Sequence, residues 1–253
     1  MTSTTNEPRL LIVGASSGIG RSLAEHALRR GAHVCVSARS ADALEEICAE
    51  GGGRGHAIVA DLARPDDCRR MVDAAAGAMG GLDAVVIAAG WGTLSMMADA
   101  DPDTWRQAFE VNVIGPTLVC GAATKHLAPT GIVSFISSES ASEVRWGLGA
   151  YGASKAALDA SIGAWRLENP TLRFQRVVMG ATSPTGVCAG FDSALFDAAL
   201  EAWVSQGIRG DLMATDDVGR QMADLLWSAL DNPGLVVSDV RLVPVASGVP
   251  SPT

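Results

Sequence analysis

The chain has 253 residues, a formal net charge of -9, and 48% hydrophobic against 19% charged residues. That composition has a core to bury and excludes a disordered chain. The acidic balance excludes a nucleic-acid partner, which needs surplus Lys and Arg to meet phosphates. The five cysteines (Cys35, Cys48, Cys68, Cys120, Cys188) form no CxxC pair and the four histidines are dispersed, so no disulfide framework and no metal site is predicted. The longest apolar stretches, such as Ala84 to Ala89, fall far short of the ~20 residues that cross a bilayer. The N-terminus lacks the charged start and long apolar run of a signal peptide, so a cytoplasmic protein without a membrane partner is expected.

In chain order, Arg9 to Val13 reads as a strand, followed by a glycine-rich turn and a helix that Gly31 stops. Strands are predicted at His33 to Ser37, His56 to Ala60, Asp83 to Ala89, Gly131 to Ile136, Leu172 to Met179 and Leu235 to Val243. Helices are predicted at Asp42 to Glu50, Pro65 to Met79, Asp101-Pro102 to about residue 126, and about Gly149 to Glu168. Strand and helix alternate, and several strands are apolar on consecutive residues. Burial on both faces follows, and with it a parallel sheet covered by helices on both sides. Residues 183–215 break the rhythm and read as a lid or small helical cap. Residues 1–8 and 246–253 read as tails.

Three local patterns carry chemistry. Gly14-Ala15-Ser16-Ser17-Gly18-Ile19-Gly20 joins a buried strand to a helix. Its glycines permit a tight turn, and the helix N-terminus offers free N–H groups to a pyrophosphate. At the end of the second strand, Ser37-Ala38-Arg39-Ser40 holds no carboxylate for a ribose 2′-hydroxyl. Arg39 offers a guanidinium suited to a 2′-phosphate, with Ser37 and Ser40 as added donors. The third pattern is a coincidence of scarce residues. Tyr151 is the only tyrosine and Lys155 one of only two lysines, and four-residue spacing puts them on one helical face. A carbonyl reduced by hydride needs a proton donor, and a cation one turn from a phenol is expected to lower its pKa.

In these motifs the chain resembles the short-chain dehydrogenase/reductases, in the branch of about 250 residues, over roughly residues 9 to 245. The glycine turn resembles that family's cofactor turn, with Val13 where Thr is usual. Asp61-Leu62 stands where the family's Asp contacts adenine, and Asn112 in Val111-Asn112-Val113-Ile114-Gly115 matches its helical Asn. Ser138 lies thirteen residues before Tyr151, and Tyr151-Gly152-Ala153-Ser154-Lys155 matches the YxASK signature. Ile87-Ala88-Ala89-Gly90 departs from the usual Asn pair before Ala-Gly, and Met179-Gly180 from the usual Pro-Gly.

The resemblance implies a single Rossmann-type doubly wound α/β domain with a seven-stranded parallel sheet. Asn112, Ser138, Tyr151 and Lys155 are the implied catalytic set, with Ser138 holding the substrate oxygen. Asn112 is implied to hold a water that links Lys155 to solvent. Gly14, Ser16, Ser17, Gly18, Ile19, Arg39, Ser40, Asp61, Leu62, Ala89, Gly90, Tyr151, Lys155, Gly180 and Thr182 are the implied cofactor contacts, Thr182 toward the nicotinamide carboxamide. Arg21 is a candidate second basic residue for the phosphate, since Ser17 occupies that place in the turn. The cofactor is NADP(H), with NAD(H) as the alternative.

A substrate pocket is expected from Trp91, Leu94, Trp146, Leu148, Phe191, Leu195, Phe196, Trp203 and Met213. It would suit a bulky apolar alcohol or ketone, with Glu143 and Arg145 as solvated charges near its mouth. The helices at 102–126 and 149–168 are apolar on more than one face, which implies a homo-oligomer, a tetramer or dimer. The competing reading is a nucleotide sensor or scaffold with little turnover.

Overall fold

Alternation of buried runs and amphipathic segments gives one main sheet in the computed structural model, which describes residues 7–206 and 212–245. The strands are β1 (Arg9–Val13), β2 (His33–Ala38), β3 (Gly55–Val59), β4 (Leu82–Ile87), β5 (Leu127–Ser138), β6 (Arg173–Met179), β7 (Thr182–Ser183), β8 (Met213–Ala214) and β9 (Asp239–Leu242). Seven of them pair in the order β3-β2-β1-β4-β5-β6-β9, all parallel, and β7 pairs with β8 apart from that sheet.

The helices are α1 (Gly18–Arg29), α2 (Ala41–Glu50), α3 (Pro65–Met79), α4 (Pro102–Phe109), α5 (Gly115–Ala123), α6 (Gly149–Glu168), α7 (Ser193–Ser205) and α8 (Thr215–Asp231). Leu10, Ile12, Val34, Val36, Ala84 and Val86 face one layer, packed with buried residues of α1, α2 and α8. Leu11, Val13, Cys35, Val85 and Ile87 face the other, with α3, α5 and α6. Period-two alternation thus divides each apolar run between two cores. The turn from β1 into α1 falls where strand order reverses, the switch point of a doubly wound sheet. Among the described residues no helix is long and apolar enough to cross a membrane.

Beyond shifts of one or two residues at element ends, four features differ from the sequence reading. The last strand is only Asp239–Leu242, because the carbonyls of Leu235 and Val237 are taken by the Arg173 and Gln175 side chains (3.2 and 3.1 Å) in place of a ladder. The fifth strand starts earlier, at Leu127. The helix expected through residue 126 is interrupted by a π turn, Glu110–Ile114. Pro116 has no N–H for the carbonyl four residues back, and the Gly115 N–H reaches five residues back to Glu110. Helix α8 was passed over, although Val218, Met222 and Leu226 recur at four-residue spacing and are buried.

Within 183–215 the structure has helix α7, bracketed by the pairing of Thr182 with Met213 and Ser183 with Ala214. Residues 207–211 of that segment, and tail residues 1–6 and 246–253, lie outside the described residues.

Candidate active site

A cavity of about 770 Å³ opens at the carboxyl ends of β1, β2, β4 and β5. The glycine turn forms one end. The Gly14 and Ala15 N–H groups both donate to the Ser37 carbonyl (2.7 and 3.1 Å), tying β1 to β2 where the turn begins. Gly14 has φ +87°, and a Cβ there would lie 2.5 Å from the Ala89 Cα. Gly18 has φ +57°, and a Cβ at Gly20 would overlap the Gly14 carbonyl. Each glycine is thus required by conformation or close approach. Ser17 caps α1 without a side-chain hydrogen bond, leaving first-turn N–H groups facing the cavity end that Ser16, Ser17, Gly18 and Ile19 line.

Arg39 lines the cavity, is exposed, and forms no ion pair among the described residues. Ser40 does not line it. The chain has already turned into α2 there, and Ser40 sits exposed at that helix's N-cap. Arg21 is held by Glu25 (2.9 Å) and Glu46 (3.1 Å), so it is committed elsewhere. Ser37, 1% exposed, lines the cavity with its Oγ unpartnered by any described residue.

Asp61 and Leu62 line the same end. The Asp61 carboxylate accepts from the Ala63 N–H (3.0 Å), and Asp67 accepts from the Asp61 N–H (3.0 Å), fixing the turn after β3. Ala89 and Gly90 line the cavity directly after Ile87-Ala88, which stand where the family's Asn pair would be. The Ala88 and Ala89 N–H groups donate to the Val13 carbonyl (2.8 and 3.0 Å), and Ile87 is buried in the core, so packing fills the place of an amide.

Ser138 at the end of β5, with Tyr151 and Lys155 on α6, all line the cavity. The Ser138 hydroxyl accepts from the Ser140 N–H (3.1 Å) and is hydrogen-bonded to Tyr151. Lys155 Nζ donates to the Ile136 carbonyl (2.9 Å) and stands 5.9 Å from the centre of the Tyr151 ring. The expected lowering of the phenol pKa is not what this arrangement gives. Burial pushes Tyr151 up to about 12 against the opposing Ser138 hydrogen bond, and burial pushes Lys155 down to about 8. Desolvation outweighs the Ser138 hydrogen bond at Tyr151 and the Asp159 charge at Lys155.

Asn112 does not line the cavity. It is fully buried on the π turn, where its amide accepts from the Trp91 N–H (2.8 Å) and donates to the Trp91 carbonyl (2.8 Å) and Ser154 Oγ (2.9 Å). Ser154 Oγ in turn donates to the Tyr151 carbonyl (2.7 Å). The Asn112 side chain is therefore a clamp between the end of β4 and the helix that bears Tyr151. Gly180 and Thr182 line the cavity, and Thr182 Oγ1 donates to the Gly180 carbonyl (3.0 Å).

The other half of the cavity is lined by Trp91, Leu148, Phe191, Phe196 and Trp203, joined by Leu200, Val204 and Leu212. Leu94, Trp146, Leu195 and Met213 are not brought to it; Leu94 is buried beside Gly147. Phe196 packs on Phe191 and edge-on to Trp203, with ring centres 5.9 and 6.3 Å apart. Trp203 Nε1 donates to the Trp146 carbonyl (2.9 Å), so α7 is tied to the loop before α6.

Arg145 is not a solvated charge. Its side chain is 14% exposed, lines the cavity, and pairs with Glu139 (3.3 Å) and Glu143 (3.1 Å). Sequence reasoning also passed over Gly92, where a Cβ would come within 3.0 Å of Tyr151 Cδ2. It passed over Val187 and Cys188, which reach the cavity from the segment before α7. A lone glycine after a strand and two small residues in an irregular segment carry no pattern to find them by.

The architecture is that of a Rossmann-type doubly wound protein with a glycine turn at its switch point. The chain belongs to the short-chain dehydrogenases, whose family pattern matches residues 9–194. An uncharacterised oxidoreductase of Methylorubrum extorquens is 31% identical over 222 residues, 85% of this chain and 88% of that one. An 11-beta-hydroxysteroid dehydrogenase 1A of Arabidopsis thaliana is 36% identical over 63% of this chain. The glycine betaine reductase of Emericella nidulans is 35% identical over 62%. The matches span 47% and 13% of those two longer proteins. Among solved structures, an alcohol dehydrogenase from Thermococcus sibiricus complexed with 5-hydroxy-NADP superposes with a TM-score of 0.77 at 22% identity. That match covers 92% of this chain and 94% of the other and shows a shared fold. The family is one of NAD(P)-using oxidoreductases.

Proposed function

We propose that this chain is an NAD(P)-dependent oxidoreductase that interconverts an alcohol and a ketone, with Tyr151 as the proton-transfer group. The observation that carries the reading is the convergence of Ser138, Tyr151 and Lys155 on the cavity whose far end is the glycine turn. The residues present fit a dinucleotide. The Gly14 approach to Ala89, the open first turn of α1 and the unpartnered Ser37 hydroxyl make a polar cradle that an apolar ligand would leave unsatisfied. Gly14, Ser16, Ser17, Gly18 and Ile19 would hold the pyrophosphate, Asp61 and Leu62 the adenine, and Ala89, Gly90, Gly180 and Thr182 the nicotinamide half. Arg39 favours NADP(H), because its unpaired guanidinium suits a 2′-phosphate.

A bound nicotinamide supplies the hydride; the chain supplies the proton and the orientation. Tyr151, held protonated by burial, is a donor to a carbonyl oxygen in the reductive direction. Ser138 steadies that oxygen while charge develops on it. Lys155 keeps a positive charge under the phenol and binds the ribose. The apolar, aromatic half of the cavity suits a bulky apolar ketone or alcohol. In this reading residues 9–245 are one domain and α7 with its flanks is the substrate lid.

A panel of ketones and alcohols assayed with both cofactors tests the reading. Turnover of a bulky ketone with NADPH supports it, and tight NADPH binding without turnover of any compound defeats it.

A further inference from the structure

We propose that Asp159 tunes the proton-transfer pair: its carboxylate, one turn along the same face of α6 and fixed from the sheet by Arg176, favours the charged ammonium of Lys155 beside Tyr151. The proposal rests on the reading of Tyr151 and Lys155 given above. Tyr151, Lys155 and Asp159 follow one another at four-residue steps along α6 and so share one face of it. Asp159 Oδ2 pairs with Arg176 Nη1 of β6 at 3.1 Å. Arg176 is held in turn by Asp239 of β9 (2.7 Å), which also meets Arg166 (3.3 Å). The carboxylate is therefore anchored by a strand residue, with a side chain only 14% exposed.

Its other oxygen, Oδ1, is buried with no hydrogen-bond partner among the described residues. An isolated buried carboxylate oxygen is costly, and an apolar residue of the same size would carry no such cost. A compensating use for the charge lies one turn away. Lys155 is 3% exposed, and among the described residues it is faced by the Ile136 carbonyl from β5, Gly90 from the end of β4, and Tyr151 from α6. All are neutral when Tyr151 is protonated. Asp159 is the acidic group whose field acts on Lys155, and it favours the charged ammonium against the burial that opposes it.

The scarcity of lysine makes a direct test practical. With 13C-labelled lysine the protein shows two side-chain signals, and the exposed Lys125 is assigned by Lys125→Arg. The midpoint of the Lys155 titration in Asp159→Asn is expected to fall by about one pH unit, with Lys125 unmoved. Mere loosening of the site would admit water and move Lys155 the other way, toward its ordinary value. A midpoint that stays or rises overturns the proposal. Should Asp159→Asn not fold, Asp159→Ser serves, since it too removes the charge and keeps a polar group. The midpoint must fall there as well, and no change or a rise overturns the proposal. Neither readout needs substrate or turnover. If the lysine shifts as expected while no ketone is reduced, the oxidoreductase reading fails and the Asp159 assignment stands.

Discussion

Lys155 Nζ lies 5.9 Å from the centre of the Tyr151 ring and gives a 2.9 Å hydrogen bond to the Ile136 carbonyl, so the cation is fixed by the sheet and not by the phenol it faces. Removing the phenolic hydroxyl should therefore leave the lysine and the cavity wall in place. Tyr151→Phe is expected to lower kcat at least ~100-fold, the usual contribution of a positioned proton donor, with little change in cofactor binding. Steady-state rates and NADPH fluorescence titration on the same preparation check it. A sensor or scaffold would show no loss, having no turnover to lose.

Arg39→Ala should weaken NADPH binding by roughly 10- to 150-fold, the equivalent of a charge-assisted contact of ~1.5–3 kcal/mol. NADH binding should change little, since NADH lacks the phosphate. Arg21, already engaged by Glu25 and Glu46, provides no second basic contact, so the loss rests on Arg39 alone. Equal losses for the two cofactors, or a wild type that prefers NADH, would contradict the assignment.

Burial of Lys155 also has a signature in stability. The group titrates near 8 in the folded protein and near 10.5 when unfolded. Below pH 8 both states hold the proton. From pH 8 to about 10.5 only the unfolded state holds it, and the stability of the folded state rises with pH by up to ~1.4 kcal/mol per pH unit. Lys155→Met removes that rise. Urea unfolding of the two proteins should show the variant's relative stability falling steadily between pH 8 and 10, and a difference independent of pH would refute the burial argument.

Gly92→Ala adds a Cβ 3.0 Å from Tyr151 Cδ2 and 3.2 Å from Val187 Cγ1. The ring or the segment before α7 must shift by a few tenths of an ångström. Reduction should slow by roughly 3- to 10-fold, since even a small displacement of a positioned group is costly, while the melting temperature stays close to wild type. A rate equal to wild type would show that the ring has room to spare.

Ala153, Ala157 and Trp165 on α6 remain only partly covered, and Ala156, Ala160 and Leu167 are exposed. Light scattering at micromolar concentration is expected to give a dimer or tetramer, and a mass near 26 kDa would refute it.

The sheet, and the placement of Tyr151 and Lys155 together on one face of α6, were legible because their signals are local. Consecutive apolar residues mark strands buried on two faces, and one tyrosine four places from one of two lysines marks a helical face. What escaped depends on partners far along the chain. The π turn needs Pro116, whose missing N–H acts on a carbonyl four residues back. The shortening of the last strand needs Arg173 and Gln175, whose side chains cap carbonyls some sixty residues away. Arg145 reads as a surface charge until Glu139 and Glu143 are seen to enclose it. The altered balance at Tyr151 was hidden for the same reason: spacing reveals the attraction between two groups, and only the packed cavity reveals what removing both from water costs.

The clamp of Asn112 on both backbone groups of Trp91, passed through Ser154 to the Tyr151 carbonyl, gives the cavity walls of unequal permanence. The wall on the β4 side is braced to α6, so changes there reach the backbone of Tyr151. The opposite wall, α7, is joined to the loop before α6 through Trp203 and Gln206 at its very end. The α7 wall can therefore be exchanged with little strain on the rest of the cavity, and a lineage built on this frame is free to reshape that wall while the side that carries Tyr151 stays unchanged.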